Sequence, residues 1–571
     1  MAGKKKKAGT EAASEEAAAE TKAETEAPAE DEERTSAPPA AEPAEPAEPP
    51  WFDRHLLLGM AAPMVLSLVE MWRVRRFTVD DSYISFRYAR NFARGLGLVY
   101  NEGERVEGYT NFLWTVLLGI GIKIGIDPVF LAKFLGASCA LGAILLLQRI
   151  AGRLRPYTAA PCLATWLFAT SAPNVGYAVF GLETSLFVAL ILGGIYLFMR
   201  EESVYDGDRT QAFPWSGVVF GLAGLTRPEA PMYIGVFMLF LGRGLFARRN
   251  LLRGGLFAGI VGAHLLFRHS YYGAWVPNTL GAKTGNLQGQ LTAGTSYVQR
   301  WVEHTGPLWL LIVAGLGYAL WKRQRALLAL SALVIGVVGY VILVGGDWMQ
   351  NFRFLVPFEP LAFLLVDVAL RAGWDRLKLT AQAKILLPAA FVLVVVFGGW
   401  RGRELTRMHR HLLATEDRFW RMAAGGTAKL FLENPKDTIA IGDIGYVGYA
   451  TDYPILDLLG LVDGEIAKMP GGYTQKVGRE WLDYFFTKRP RYVIVISSQL
   501  DCQHPSVHGS VVMYNDPRFN TMYQRLAATP LDNNFAWCIY ERRGARTATP
   551  PPPPSSAPSP EAPSSEDPHP E

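Results

Sequence analysis

Charged residues are scarce in this sequence: they make up 19% of its 571 residues, whereas soluble proteins carry about 25%. Hydrophobic residues account for 50%, and the mean hydropathy is +0.12. The apolar residues are concentrated between about positions 56 and 400. This shortage of charge excludes an ordinary soluble domain and predicts a polytopic membrane protein.

Aromatic residues are absent from both ends of the chain. Residues 1–50 contain thirteen acids and seven prolines, and residues 544–571 contain ten prolines. Neither end can bury enough apolar surface to offset the entropy of ordering it. We therefore expect a disordered cytoplasmic tail at 1–50 and a disordered, proline-rich tail at 544–571. A cleavable signal peptide would need an apolar stretch near the start, and none occurs there, so we do not expect one.

The sequence also lacks the motifs of common soluble enzymes and of zinc sites. It has no P-loop, no dinucleotide-binding glycine fingerprint after a strand, no HExxH motif and no Cys-x-x-Cys pair. Cys139 and Cys162 lie in apolar runs, whereas Cys502 and Cys538 lie in a polar region where a disulfide is one alternative. No basic stripe with interleaved aromatic residues occurs, so nucleic acid is not an expected partner.

Apolar runs of about membrane length are abundant instead. Several are shorter than the roughly 20 residues that a straight span needs. The runs lie at 56–73, 110–126, 129–148, 157–173, 183–199, 214–226, 230–246, 253–270, 307–321, 326–345, 354–370 and 385–400. Basic residues cluster in four short connections between them, and positive charge favours the cytoplasmic side. These connections lie at 149–155, 243–253, 322–325 and 371–384.

Placing the basic connections inside the cell sets the topology. The connections near 181–183, 226–229, 271–307 and 345–353 then lie outside, together with everything after about residue 401. The stretch 110–148 looks like two runs but must cross an odd number of times, so we interpret one run as re-entrant or interfacial. The prediction is a mainly α bundle of about 11 transmembrane helices in the cytoplasmic membrane, with the N-terminus inside.

Two parts of the chain are predicted to lie outside the bilayer core. Residues 82–95 have a helical pattern that puts Tyr83, Phe86 and Ala89 on one face, which is typical of an amphipathic helix along the membrane surface. The second part is the polar C-terminal stretch that follows the last apolar run.

The C-terminal part, 401–543, is interpreted as an extracytoplasmic α/β domain that follows a transmembrane domain at 51–400. Its pattern predicts a helix at 401–432 and buried strands at 438–441 and 492–497.

Asp80 and Asp81 directly follow the first apolar run. A carboxylate here can act as a general base, because a sugar hydroxyl that attacks an anomeric carbon must lose its proton. Two adjacent acids cannot both face the same way, so one would act while the other caps the following helix. The plainer alternative is that the pair serves only as a helix cap.

Three cations on the predicted outer side are candidates for binding a lipid phosphate. Arg353 can form paired, charge-assisted hydrogen bonds to phosphate oxygens, and Lys283 and Arg227 offer further positive charge. The alternatives are an interfacial anchor for Arg353, a solvated lysine for Lys283 and a local salt bridge between Arg227 and Glu229.

Two acids on the same side complete the set of polar candidates. Glu183 opens an apolar run, where an acid also suits the start of a helix. Asp347 follows two glycines at the membrane boundary, where charged residues are costly and often functional. Glu183 and Asp347 are therefore candidates for a substrate or metal site.

Several segments resemble one family of membrane enzymes, in order, over about residues 75–465. The run that begins Asp80-Asp81-Ser82-Tyr83, with its continuation to 111, resembles the first outer loop of the actinobacterial terminal β-(1→2)-arabinofuranosyltransferases, which belong to the GT-C superfamily. Further matching segments are Gly345-Gly346-Asp347-Trp348, Arg353-Phe354-Leu355-Val356-Pro357, Leu225-Thr226-Arg227-Pro228-Glu229, Pro277-Asn278-Thr279 and Leu456-Asp457-Leu458-Leu459-Gly460-Leu461. Arg87 and Trp348, which lie in these blocks, join the substrate or metal-site candidates.

The resemblance implies a GT-C-like bundle, a polyprenyl-phosphate sugar donor and an inverting single displacement. It also implies a catalytic aspartate in the first outer loop, which is Asp80 or Asp81 here, and we favour Asp80 as the first acid of the motif. The predicted function is transfer of a sugar, arabinofuranose by resemblance, to an envelope glycan, lipid or protein on the outer face of the cytoplasmic membrane. No cofactor is certain, and a divalent cation stays open because Asp80, Asp81 and Glu183 could converge.

Two other classes of function stay as alternatives. A lipid or solute transporter would need ionisable residues deep within its spans and usually has paired halves, and neither is evident. A non-catalytic assembly protein would have little reason to keep the Asp80-Asp81 pair.

Overall fold

The computed structural model describes residues 57–155, 162–202, 213–349, 351–376, 436–472, 475–530 and 535–544, with Asn434 and isolated positions among 392–403. The predicted tail at 1–50, the helix at 401–432, most of the run at 385–400 and nearly all of 544–571 lie outside the described residues. Within them, a helical region up to residue 376 precedes a small sheet domain that begins after residue 436.

The helical region begins with a π-helical turn at Leu57–Ala61, and it contains 3₁₀ turns at Gly242–Phe246 and Arg353–Leu355. Its α-helices are Ala62–Val74 (α1), Asp80–Ala93 (α2), Phe112–Lys123 (α3), Pro128–Leu154 (α4), Leu163–Thr170 (α5), Ala172–Val179 (α6), Thr184–Glu201 (α7), Trp215–Gly224 (α8), Ala230–Leu239 (α9), Arg248–Tyr272 (α10), Asn278–Lys283 (α11), Leu287–Thr305 (α12), Leu308–Lys322 (α13), Arg325–Val344 (α14) and Glu359–Arg376 (α15).

Among the described residues, α4, α7, α10 and α14 are long and apolar enough to cross a membrane, and α3, α8, α9 and α13 are shorter apolar helices. The chain is therefore a multi-pass membrane protein, as predicted. The expected total of about 11 spans is not established by these helices.

The lengths of α3 and α4 bear on the ambiguous stretch 110–148. The 12 residues of α3 rise about 18 Å, whereas the 27 residues of α4 rise about 40 Å. A bilayer core is about 30 Å thick, so α4 is long enough to cross it and α3 is not. These lengths agree with the interpretation that one of the two runs is not a full span.

Helix α2 confirms the helical pattern predicted for 82–95. Its apolar face of Tyr83, Phe86 and Ala89 packs on Trp114 and Leu118 of α3. Its other side is covered by the sheet domain, so nearly the whole helix is buried, and Arg87 and Arg90 bind protein groups rather than water. Its position along the membrane surface stays a prediction.

The sheet domain has five strands in the order β2-β1-β3-β5-β4, with β1 parallel to β2 and β3 and with β5 antiparallel to β3 and β4. The strands are Ile439–Ile441 (β1), Ile455–Asp457 (β2), Tyr492–Ser497 (β3), Tyr523–Pro530 (β4) and Ala536–Arg542 (β5). The helices are Gly445–Thr451 (α16), Gly464–Lys468 (α17), Arg479–Lys488 (α18), His508–Asn515 (α19) and Pro517–Met522 (α20). The predicted strands at 438–441 and 492–497 are confirmed.

A disulfide closes the outer part of this domain. Cys502, in the loop after β3, is bonded to Cys538 on β5, whereas Cys139 and Cys162 are free. The pairing that the sequence left open is therefore made in the structure, and disulfides are typical of compartments outside the cytosol.

Arginines of α2 fasten the sheet domain to the helical region. The guanidinium of Arg87 donates to the backbone oxygens of Tyr100, Gly448 and Tyr453, each at 2.8 Å. Arg90 and Arg94 lie at the end of the same face, and both form ion pairs with Asp452. The amphipathic pattern of α2 therefore encodes an interface between two parts of one chain.

On the side predicted to be cytoplasmic, Arg253 of α10 is fully buried and joins three helices. Its Nη2 atom lies 3.1 Å from Glu201 and 2.7 Å from Glu202 at the end of α7, and its Nε atom donates to Ser216 of α8 at 2.8 Å. Two buried carboxylates thus depend on one guanidinium for their charge balance.

We predict that Arg253→Met lowers the free energy of unfolding by about 3–5 kcal/mol, because it leaves Glu201 and Glu202 buried without a cation. Thermal unfolding in detergent measures the change. Arg248→Met is the matched control, since Arg248 lies at the start of the same helix and is exposed. Equal stability of the two variants would contradict the assigned role of Arg253.

Candidate functional site

A cavity of about 960 Å³ opens between the helical region and the sheet domain. Its walls come from the start of α2, from the links before α7 and α9, from α11 and α12, and from the loop after α14. Its polar lining residues include Asp81, Ser85, Asn111, Glu183, Arg227, Glu229, Arg268, Lys283, Asn286, Gln290, Ser296, Arg300, Asp347, Arg353 and Gln475.

The two adjacent aspartates have different surroundings. Asp81 lines the cavity. Asp80 is buried beside it, and its carboxylate accepts hydrogen bonds from the backbone N–H groups of Gly445 at 3.0 Å and Tyr446 at 2.7 Å. Successive residues of a helix point about 100° apart, so one acid faces the cavity while the other faces the sheet domain. The prediction that the second acid caps the following helix is wrong, because α2 has no side-chain cap; the Asp80 carboxylate binds the start of α16 instead.

Asp81 lies in an electrostatic environment that it shares with two cations. Burial raises the pKa of the Asp81 carboxyl above its ordinary value, and the positive charges of Lys283 and Arg353 partly oppose that shift. Burial likewise lowers the pKa of the Lys283 ammonium, and the charge of Asp81 partly opposes this shift. The structure therefore brings together one predicted catalytic acid and two of the predicted phosphate-binding cations.

Arg353 is positioned by the glycine-containing loop after α14. Its Nε atom lies 2.6 Å from Oδ2 of Asp347, although the pair lacks the direction of a good hydrogen bond. Gly346 has a φ of 71°, and a Cβ atom there would lie 2.7 Å from the Tyr297 side chain. Only glycine fits this turn without strain, so the loop geometry that carries Asp347 and Arg353 is encoded at Gly346.

Arg227 is engaged by two carboxylates. It lies 3.1 Å from Glu183 and 2.6 Å from Glu229, and all three side chains are buried at the cavity wall. The amide of Asn111 donates to Glu183 at 2.9 Å. The salt-bridge alternative for Arg227 and Glu229 is therefore present, and Glu183 belongs to the same network.

Of the last two candidates, Trp348 lies at the cavity and Arg87 does not. Trp348 lines the cavity and is 57% exposed. Arg87 does not line the cavity, because its guanidinium is occupied by the backbone oxygens that hold the sheet domain on α2. Its prediction as a substrate or metal-site residue is corrected to a structural role.

In the part of the chain that the structure describes, no three His, Cys, Asp or Glu side chains are grouped to hold a metal ion. The convergence expected of Asp80, Asp81 and Glu183 does not form there, because the Asp80 carboxylate is directed at α16. The divalent cation stays an untested prediction.

Two residues near the site were missed by the sequence reasoning. Lys133 of α4 donates from Nζ to the backbone oxygens of Arg75 at 2.8 Å, of Phe77, and of Val179 at 2.9 Å. It thereby fixes the segment that leads into Asp80. A lone lysine inside an apolar run was the available signal.

Asp443 is the second missed residue, and it lies just after β1. Burial and the charge of Asp443 together raise the pKa of Asp80 well above its ordinary value. The position of an acid at the carboxyl end of a buried strand was a signal, but its neighbour across the domain boundary was not visible in sequence.

Solved structures with a similar fold include ArnT and an oligosaccharyltransferase. ArnT from Cupriavidus metallidurans bound to undecaprenyl phosphate aligns with a TM-score of 0.53 at 12% identity, over 86% of this chain and 98% of that chain. The Archaeoglobus fulgidus oligosaccharyltransferase aligns with a TM-score of 0.51 at 13% identity, over 78% of this chain and 70% of that chain. The chain shares the fold of these two proteins, which confirms the predicted fold class.

Relatives in sequence narrow this class. The Mycobacterium tuberculosis terminal beta-(1->2)-arabinofuranosyltransferase is 30% identical over 440 residues, which cover 67% of this chain and 68% of that protein. The Corynebacterium glutamicum protein of the same name is 28% identical over 64% of this chain but only 58% of its own length. A family model described as a domain of unknown function, DUF8728, matches residues 414–544. The chain belongs to the family of terminal β-(1→2)-arabinofuranosyltransferases.

We predict that Lys133→Met lowers the rate of sugar transfer by roughly tenfold to a hundredfold, since small displacements of reacting groups have effects of that order. The donor KM should change little, because Lys133 does not line the cavity. Steady-state kinetics in detergent separates kcat from KM. Lys133→Arg keeps the charge and should restore part of kcat; a Lys133→Met enzyme with normal kcat would exclude a positioning role.

Proposed function

We propose that this chain is an inverting glycosyltransferase that moves arabinofuranose from a polyprenyl-phosphate donor to an envelope acceptor on the outer face of the cytoplasmic membrane. The observation that carries the proposal is the cavity in which Asp81 faces Lys283 and Arg353. Such a displacement needs a base to accept the acceptor proton and cations nearby to stabilise the leaving phosphate. Membership of the family supports the choice of sugar.

Asp81, rather than the initially favoured Asp80, is the proposed base. Asp81 lines the cavity, whereas both carboxylate oxygens of Asp80 accept backbone hydrogen bonds from α16. In the reaction, the acceptor oxygen forms a bond to the anomeric carbon as the bond from that carbon to the phosphate oxygen breaks. The acceptor proton goes to Asp81, and the electron pair leaves with the polyprenyl phosphate.

Lys283 and Arg353 are the proposed phosphate ligands. The leaving phosphate gains negative charge as the glycosidic bond breaks, and fixed cations in a partly dry site stabilise that charge. Arg227 contributes less, because its charge is shared between Glu183 and Glu229. A similar fold with bound undecaprenyl phosphate, in ArnT, is consistent with a lipid phosphate as the carrier.

Two observations support a site on the outer face. The basic connections set the predicted orientation, and the cavity lies between the helical region and the disulfide-bonded sheet domain. A disulfide is expected to persist only outside the reducing cytosol. The donor would therefore reach the site within the bilayer, and the acceptor would reach it from the outer aqueous side.

We predict that Asp81→Asn lowers transfer at least a hundredfold, in line with the loss of a general base. Asp80→Asn should retain more transfer, because an amide oxygen can still accept a hydrogen bond from α16. The assay is transfer from a panel of radiolabelled polyprenyl-phosphate sugars in membranes that contain each variant. Full activity of Asp81→Asn would exclude Asp81 as the base; no transfer from any donor by correctly inserted wild type would overturn the proposed function.

The pH profile of kcat/KM should be bell-shaped. The base must be ionised to accept a proton, so the rate should increase as the pH is raised through the pKa of Asp81. Burial raises that pKa, so this increase should occur at a pH above the ordinary pKa of aspartate, about 3.9. Burial lowers the pKa of Lys283, so Lys283 loses its charge as the pH is raised, at a pH below the ordinary pKa of lysine, about 10.4. The rate should therefore decrease at alkaline pH, beginning below that value.

Lys283→Arg tests the alkaline limb of this profile, because arginine stays charged across the whole range. The limb should move to higher pH or disappear, while the acid limb stays in place. An unchanged alkaline limb would show that Lys283 does not set it.

A further inference from the structure

A basic segment of the chain lies far from the cavity and has no part in the mechanism above. It comprises the 3₁₀ turn Gly242–Phe246 and the first residues of α10, and we call residues 242–252 the basic turn. It contains three arginines and no acid. Arg268, near the other end of α10, lines the cavity. From Arg248 to Arg268 the helix rises about 30 Å, the thickness of a bilayer core, so the basic turn lies at the opposite membrane boundary.

Hydrogen bonds hold the basic turn in place. The amide of Asn250 donates to the backbone oxygen of Gly244 at 2.9 Å, which closes the turn onto the start of α10. The amide oxygen of Asn250 accepts a hydrogen bond from buried Arg253. Arg249 donates through Nη1 to the backbone oxygen of Glu201 at the end of α7. The basic turn therefore presents its remaining groups in a fixed arrangement.

The arginines of the basic turn carry charge that the described protein groups do not balance. Arg243 and Arg248 are exposed, and within the described ranges neither forms a hydrogen bond or an ion pair with a protein group. The Nε and Nη2 atoms of Arg249 are buried and also have no partner there. The carboxylate of Glu201 is already engaged by Arg253. An anion from outside the chain could therefore bind here without displacing a protein contact.

The electrostatics of α10 make these arginines unfavourable where they lie. This helix is described throughout, and it begins at Arg248 with Ala247 as its N-cap, without a side-chain cap and without an acid in its first turn. The start of a helix carries partial positive charge, so Arg248 and Arg249 are destabilised there. Basic residues in this connection serve membrane topology, but topology does not require them at a helix start. A bound anion would offset the destabilisation.

Exposed apolar side chains flank the arginines. Phe246 is 74% exposed, Leu251 is 56% exposed, and Leu239 at the end of α9 is 71% exposed. Apolar groups beside cations at a membrane boundary suit a ligand that has an anionic headgroup and hydrocarbon chains. A soluble phosphate would leave the apolar groups without a partner, and an acidic protein would have to displace the bilayer from them. The combination favours a lipid.

We infer that the basic turn binds the headgroup of an anionic phospholipid, in the leaflet opposite to the cavity. The phosphate oxygens accept charge-assisted hydrogen bonds from Arg243 and Arg248, and the acyl chains lie against Phe246 and Leu251. Anionic lipids attract arginines that lie next to the membrane. The inference does not rest on the proposed function, because no group of the basic turn lines the cavity.

The experiment measures lipid binding to the purified full chain by native mass spectrometry in detergent. The probes are dioleoylphosphatidylglycerol, which is anionic, and dioleoylphosphatidylcholine, which has the same acyl chains and no net charge. Wild type should bind the anionic probe about thirtyfold more tightly, as expected for two arginines near an anionic lipid. Arg243→Gln combined with Arg248→Gln should remove most of this preference and leave binding of the neutral probe unchanged.

Lys322→Gln combined with Arg323→Gln is the matched control. Both residues are exposed and lie in another of the four basic connections. Helix α13 ends at Lys322, where the helix dipole favours a cation, so folding alone accounts for the charge there. The control removes the same amount of charge and should bind both probes as wild type does. Equal thermal unfolding in lipid-free detergent checks that both double variants are folded.

Each outcome decides the inference. Loss of the preference in the variant of Arg243 and Arg248 alone supports it. Equal loss in both double variants would indicate general surface electrostatics and overturn it, and so would the absence of any preference in wild type. Displacement of the anionic lipid by an equal concentration of glycerol 3-phosphate would assign the site to soluble anions and also overturn it. None of these results depends on sugar transfer, so the inference and the proposed function are tested separately.

Discussion

The structure depends on the contact between Asp80 and α16, in which the Asp80 carboxylate accepts hydrogen bonds from the backbone N–H groups of Gly445 and Tyr446. This contact uses the start of α2 to hold the start of α16, and Arg87 extends the same interface along α2. Asp81 is the next residue of the chain, so its direction is set by its neighbour's partner. The sheet domain is therefore part of the site, because it orients the residue that faces the cavity.

Charge balance explains the pairing of the buried arginines and carboxylates at the cavity wall. Arg227 lies between Glu183 and Glu229, and Arg353 lies beside Asp347, so each buried cation has a nearby carboxylate. Removing either partner of such a pair costs more than the pair contributes, which constrains these positions even without chemistry. The same residues line the cavity, so their structural and functional roles cannot be separated by position alone.

The sequence was enough to predict the membrane class, the GT-C fold and the sheet domain, because apolar runs, basic connections and short motifs are local features. Seven of its nine candidate site residues line the cavity, including Asp81, Lys283 and Arg353. It favoured Asp80 as the base, whereas the structure leads us to propose Asp81, and it misassigned Arg87. Both questions depend on α16, which lies far away in sequence. Lys133 was missed for a related reason: its partners are backbone oxygens, which leave no pattern in side chains.

The tie between Asp80 and Gly445 has a consequence for biogenesis. The two residues are 365 positions apart, so at usual rates of synthesis the partner of Asp80 emerges roughly 20 to 70 s later. During that interval α2 is made without the domain that covers it. The cavity can form completely only after the C-terminal domain has been made and folded, so the site is assembled late in synthesis of the chain.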